Sequence, residues 1–435
     1  MRIPSLLVAT ASLALLLGLS AVPVQAAAPR AELAPVVLPE IPNSVAVADG
    51  GVTLASFHDA KQLGVIKADG TLTRIDVSCT PMAVAVAPAG DWGWAVCSDS
   101  PHLTAINLAT SEVVSADVGI IDGVALVYAP ATKRVAIGTL NGQIIIVSVT
   151  SLQDYEVLHS FNVGGSVWAM AAAPDGKTAF TANKVGFIER LDLSAGTAKT
   201  LDLRLAVAVT SLSVAPSGNV LYVGGGEMGP TPDDVKSLLV AVDPQSGAVL
   251  QRVQLTTALP AFGSLLVAAN HRMLYVGSGI GAGIGTQTYG VFGVALDALG
   301  RMGAAGPVFA AAVTANALGL SGDGRMLAVG SVNSTLERTT VEDSPYPPAI
   351  GISGLYGHTG LEISGRTNGV AAGTTVTIYL KALGTKKAKF VAQKTKAIVG
   401  ATGAFTWKGR TSAHRVAVYA ITGKLKSSTI TLSHG

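Results

Sequence analysis

The chain has 435 residues and is close to neutral, with 30 Lys+Arg against 27 Asp+Glu. Aromatic residues are 5% and charged residues 13%, whereas hydrophobic residues reach 49%, so the apolar content is mostly Ala, Val and Leu beside 50 Gly. This composition suits many short strands packed closely, and mean hydropathy of +0.48 raises the question of membrane spans. Beyond the first residues no segment reaches ~18 uncharged, strongly apolar residues, which argues against a transmembrane segment in the mature chain.

The N-terminus is read first. Arg2 supplies a positive start, Leu6 to Val22 carry no charge, and Val24-Gln25-Ala26 has the small residues of a cleavage site. These features predict a secretory signal peptide over residues 1–26 and a secreted or extracellular protein, free or associated with the cell envelope. The other reading, a membrane anchor, is short for a span and is followed by Pro23.

A pattern then recurs: an alternating apolar run, a turn with Pro, Gly or Asp, and a second apolar run. The copies are SVAVADGGVTLASF (44–57), VAVAPAGDWGWAV (84–96), LVYAPATKRVAIG (126–138) and AMAAAPDGKTAFTAN (169–183). They continue as SLSVAPSGNVLYVGG (211–225), SLLVAANHRMLYVGS (264–278) and ALGLSGDGRMLAVGS (317–331). Each is a β-hairpin signal, because period-two alternation flanks residues that tolerate or preset turn geometry. A second strand pair follows most copies, as in LLVAVDPQSGAVLQRVQL (238–255). Four strands per unit at this period are the signature of a propeller blade, and seven copies predict seven blades over 27–343. The last copy has sequence for only a third strand, so Glu32 to Leu38 is expected to supply the fourth and close the ring.

Three stretches carry a family resemblance: Ala173-Pro174-Asp175-Gly176-Lys177, Leu221-Tyr222-Val223-Gly224 and Asp243-Pro244-Gln245-Ser246-Gly247. The chain resembles the YVTN-type, tryptophan-aspartate-repeat-like seven-bladed β-propellers of exported bacterial proteins. The resemblance implies architecture and leaves activity open, since this fold hosts unrelated functions.

Candidate sites follow from that frame. Asn43, Asp122 and Asn316 precede three inner strands and would face one channel mouth. Propeller lactonases hold a divalent cation with oxygen ligands there, which makes a lactonase-type enzyme the alternative function. This set lacks a Glu, so turn chemistry is the simpler reading and neither metal nor cofactor is expected. His58-Asp59 and Asp99 with His102 lie in equivalent loops without a nucleophile frame. Long loops GGGEMGPTPDDVK (224–236) and GSGIGAGIGTQTYG (277–290) should project from adjacent blades, making Glu227, Asp233, Asp234 and Tyr289 candidate binding residues. Cys79 and Cys97 flank the second hairpin and are expected to form a disulfide in an exported protein, with two buried thiols as the other reading.

Ser344-Pro345-Tyr346-Pro347-Pro348 reads as a stiff linker spanning 344–350. Beyond it, alternating runs at 361–367, 374–382, 387–395, 403–409, 414–420 and 427–433 predict an immunoglobulin-like β-sandwich over 351–435. The segment is similar to small bacterial Ig-like modules in "Val-Ala-Ala-Gly-Thr-Thr-Val-Thr" and "Gly-Ala-Phe-Thr-Trp". The expected fold class is therefore all-β. Residues 351–435 hold 12 Lys+Arg and one acid, Glu362, whereas 27–350 hold 17 Lys+Arg and 26 acids. A basic module beside an acidic one predicts attraction of an anionic envelope polymer or an acidic surface, with a protein partner at the propeller loops. Lysine dominates over arginine here, and pairs such as Trp407-Lys408 are too little aromatic-basic interleaving for specific nucleic-acid binding to be expected. The function expected is non-catalytic binding or scaffolding.

Overall fold

A computed structural model describes residues 32–340 and 349–434, apart from 151–153, 184–185, 202, 204–206, 229–234, 256–259, 269–272, 279–289, 298–299, 308–314, 358–359, 369–372, 385–387, 400–403 and 428. The signal-peptide segment, Ser344 to Pro348, Asp233, Asp234 and Tyr289 lie outside the described residues. Those described form strands and turns without α-helix, and accordingly no helix among them is long and apolar enough to cross a membrane.

Up to Thr340 the strands form seven four-stranded antiparallel sheets among the described residues. Six are meanders of consecutive strands, starting at Ser44, Pro81, Gly123, Ala169, Val207 and Pro260. The seventh takes Ala315–Leu320, Met326–Ser331 and Thr335–Thr340, and its outer strand is Glu32–Val37 from the start of the chain. The innermost strand of each sheet touches that of the next, and the seventh touches the first. Repeated four-stranded sheets in a closed sequence of neighbours define a β-propeller.

The hairpin chemistry explains why these residues turn where they do. Asp175 accepts hydrogen bonds from the Lys177 and Thr178 amides and from the Thr178 hydroxyl (2.9, 2.8 and 2.8 Å). Gly176 then takes φ +65°, a left-handed position that costs glycine little. Asp243 does the same in an outer hairpin, accepting from the Gln245 and Ser246 amides.

Apolar residues of neighbouring sheets meet between them. Leu54, Leu63 and Val65 of the first sheet pack with Val84, Ala95 and Ile106 of the second. The other junctions repeat this arrangement around the ring, and Val36 and Leu336 join Val45, Val47 and Phe57 where the seventh sheet meets the first. Small residues set the spacing. A Cβ on Gly138 would lie 2.4 Å from a Val167 methyl of the next sheet, well inside contact distance. This close approach accounts for a glycine-rich, aromatic-poor chain.

From Ala349 onward a second unit has its own core. Ala349–Gly357, Gly360–Asn368 and Ala404–Gly409 form one antiparallel sheet. Thr375–Ala382 and Arg415–Thr422 are the centre of another, flanked by short strands. Leu361, Ile363, Phe405 and Trp407 from the first pack with Val376, Ile378, Val416 and Val418 from the second, so the unit is a β-sandwich. Two boundaries differ from expectation. The linker gives way to strand at Ala349, before Gly351, and the run 387–395 retains only Val391–Ala392 as strand.

Candidate functional site

In a four-stranded meander, the turn between first and second strands lies at one end of the sheet. The turns between second and third strands, and the connections between sheets, lie at the other. Asn43, Asp122, Asn316, Glu227 and both cysteines belong to that second end, which therefore forms one face of the ring.

Each predicted mouth residue has a local role. The Asn316 amide donates to the Pro42 carbonyl (2.9 Å), tying the seventh inner strand to the entry of the first. The Asn43 amide faces the Met82 sulfur (3.9 Å), and its backbone N–H donates to Ser56 O (3.0 Å). Asp122 is exposed, holds φ +56°, and accepts the Leu140 N–H through its carbonyl. Two of the three amide or carboxyl residues thus bind neighbouring strands of the first, second and seventh sheets.

Glu227 lies on a strand, not in a loop. Leu221–Met228 pairs with Val235–Val242 from Leu221↔Val242 out to Met228↔Val235. Within the expected loop 224–236, residues 224–228 and 235–236 are therefore paired strand, and Glu227 stands opposite Lys236 in the register. The three glycines that resemble a loop fit a ladder because pairing needs only backbone: a Cβ on Gly225 would lie 2.3 Å from the Ala208 carbonyl oxygen. In the adjacent sheet, Met273–Ser278 and Gly290–Leu296 frame the segment that contains Tyr289.

Cys79 and Cys97 are joined by a disulfide with Cα atoms 5.9 Å apart. Pro81, one residue before Met82, stands opposite Cys97, and a register shift follows it. Beyond the bridge, Asp99 accepts hydrogen bonds from the Thr80 amide (2.6 Å) and hydroxyl (2.7 Å), and Lys61 Nζ lies 3.4 Å away. The Thr80 amide is the main reason the Asp99 carboxyl titrates below its ordinary value. His58 Nδ1 lies 2.7 Å from Asp59 at the exposed tip of the equivalent turn in the first sheet. His102 faces the Ser100 hydroxyl at 3.1 Å, so the two histidines have different partners.

The sandwich presents a feature that adjacent-residue reading misses. Trp407 is core, 4% exposed, and its indole donates to Thr395 O (2.9 Å), while Lys408 pairs with Glu362 (3.2 Å). Aromatic and basic groups instead alternate across strands. Val376, Ile378 and Leu380 point into the core, so Tyr379 and Lys381 lie on the outer face. Tyr379 stands opposite Tyr419, and their rings stack at 4.8 Å and 12°. Phe390 leans on Tyr419 at 4.6 Å, Lys426 Nζ sits 4.2 Å from the Tyr419 ring, and Lys381 Nζ 5.8 Å from that of Phe390. Val391 beside them is 61% exposed. The result is a half-exposed aromatic patch rimmed by ammonium groups, which offers cations on a partly dehydrated surface.

No protein-family model matches this chain, and no curated protein matches it in sequence. Solved structures do match in fold. A chain of the mitotic checkpoint complex superposes with a TM-score of 0.59 at 15% identity, covering 79% of this chain and 99% of its own. A chain of hydrazine synthase from Kuenenia stuttgartiensis gives 0.57 at 14% identity, covering 70% of this chain and 97% of its own. At such identities the likeness is one of fold alone, a β-propeller, and that fold hosts unrelated functions.

Proposed function

We propose that the protein is an exported, non-catalytic scaffold: a seven-bladed propeller of YVTN type displays one face to a protein partner, and a basic Ig-like sandwich holds it to an anionic polymer of the cell envelope. The observation that carries this reading is the outer face of the sandwich. Lys381 and Lys426 are held over Phe390 and Tyr419 in a unit with 12 basic residues and one acid. Surface ammonium groups fixed in number and position attract a polyanion through the local field, and that attraction is screened by salt. On the propeller, Asn43 and Asn316 hold strands together, which favours display over chemistry at the channel mouth.

Co-sedimentation of the full chain with isolated cell envelopes, across a sodium chloride series, tests the proposal. Release between about 0.1 and 1 M salt is expected, because the screening length shrinks from ~10 to ~3 Å over that range. Binding that does not respond to salt refutes the polymer part of the reading.

A further inference from the structure

A water-soluble polyanion engages the ammonium groups of the sandwich and leaves the apolar residues among them without a role. On the outer face of the second sheet, strand pairing gathers those residues. Thr375 stands opposite Ile398, and Tyr379 opposite Ala392, on the short strands of one edge. Across the next strand, Thr377 meets Ile421 and Tyr379 meets Tyr419. Val376, Ile378 and Leu380 alternate with these residues and fill the core, so partners in register share the outward face. Ile398, 57% exposed, lies at one end of the face, and Phe390 leans on Tyr419 toward the other. From Thr375 to Lys381 the strand covers about 20 Å.

Charge on this face has one sign. The Lys426 and Lys381 ammonium groups sit 4.2 Å from the Tyr419 ring and 5.8 Å from that of Phe390. Lys389, Lys394 and Lys396 are exposed along the edge segment that carries Phe390 and Ile398. Glu362, the one acid of 351–435, belongs to the other sheet, where it pairs with Lys408. A ligand matched to both features is anionic and apolar within a few ångströms, as is the headgroup boundary of a phospholipid bilayer. Tyrosine and lysine suit that boundary, because each has an apolar body and a polar tip. A sheet face also meets a planar surface without needing a cleft.

We propose that this outer face seats on an anionic phospholipid bilayer. Phe390, Ile398 and the Tyr379–Tyr419 pair lie at the level of the lipid glycerol, and the lysines meet the headgroup phosphates. The contact lies on the membrane and does not cross it. This seat rests on the reading of the sandwich as the unit of envelope attachment, and adds an apolar contact that a soluble polyphosphate cannot make.

The full chain is co-sedimented with vesicles of equimolar phosphatidylglycerol and phosphatidylcholine, and with vesicles of phosphatidylcholine alone. Affinity for soluble poly(glycerol phosphate) is measured in parallel. At ~0.1 M salt, binding to the anionic vesicles is expected to be at least tenfold tighter than to the neutral ones. Phe390→Ala with Ile398→Ser should weaken vesicle binding about tenfold and leave polymer affinity within about twofold. Ile398→Ser alone, at an exposed position, should weaken vesicle binding about threefold at an unchanged melting temperature, which keeps the test valid if the double variant is destabilised. Unchanged vesicle binding by these variants, or equal loss of vesicle and polymer binding, overturns the apolar contact. Polymer binding without binding to anionic vesicles overturns the bilayer as occupant and leaves the polymer reading standing. Vesicle binding without polymer binding supports the bilayer and refutes the polymer reading. Lipid-free self-association in ultracentrifugation that Ile398→Ser abolishes assigns the face to a second copy of the chain instead.

Discussion

Val36 and Leu336 stand in register in one sheet, one from the first described strand and the other from the last strand of the ring. Both are buried in the cluster that joins the seventh sheet to the first. The ring is thereby closed by pairing its first strand with its last, and Glu32–Val37 becomes the outer strand of the seventh sheet. A chain beginning at Asn43 should lose this strand and melt well below the full chain in calorimetry.

Arg338 supports the same junction from within. It is 3% exposed and donates to the carbonyls of Lys67 and Ala68 in the first sheet, both at 3.0 Å. Arg338→Met removes both of these bonds, and Lys67 O then keeps only the Gly70 N–H (2.9 Å). A loss of about 2–4 kcal/mol in urea denaturation is expected from two charge-assisted hydrogen bonds.

The disulfide closes a loop with a sequence separation of 18. The chain-entropy treatment gives ~3 kcal/mol for a loop near that size. The double variant Cys79→Ser, Cys97→Ser should lose about that much, and reduction of the native protein should reproduce the loss.

Close packing between sheets makes a further prediction. Gly138→Ala places a methyl group against Val167 and Met170, and overpacking of this kind costs ~1–3 kcal/mol. Equilibrium denaturation should show the loss with an unchanged m-value.

Asp99 titrates below its ordinary value through the Thr80 hydrogen bonds. A carboxyl lowered in the folded state stabilises the fold above its unfolded value, near pH 4, and loses that contribution as pH falls through the folded value. Asp99→Asn should therefore be less stable than the native chain at pH 7, and the difference should shrink as pH falls through the folded value. Melting temperatures at pH 7, 5 and 3 measure it.

Much of the architecture is legible in the sequence because its signals are local. Period-two runs around Asp175-Gly176 and similar turns place the hairpins within a residue or two, and the missing fourth strand of the last repeat points back to Glu32–Leu38. Features set by distant residues are not legible in this way. Ala349 and Ile350 read as the end of a Pro-rich linker and the first expected strand of the sandwich begins at 361, yet Ala349–Gly357 pairs along its whole length with Gly360–Asn368. The glycines of 224–226 read as loop and lie in a ladder, since backbone pairing leaves no mark on side-chain pattern. The stack of Tyr379 on Tyr419 joins residues 40 apart through strand register. Gly164 and Glu189 likewise meet only through folding, the amide of one donating to the carboxylate of the other.

The most direct test of the account is the affinity of the full chain for poly(glycerol phosphate) as a function of salt, with dextran as a neutral control. Proteins that neutralise polymer phosphates show a log-log slope proportional to the number of contacts. A negative slope, no binding to dextran, and a slope reduced by about one to two on replacing Lys381 and Lys426 with Gln are expected. Equal binding to dextran, or a slope unchanged by those substitutions, would contradict the assignment of the sandwich face.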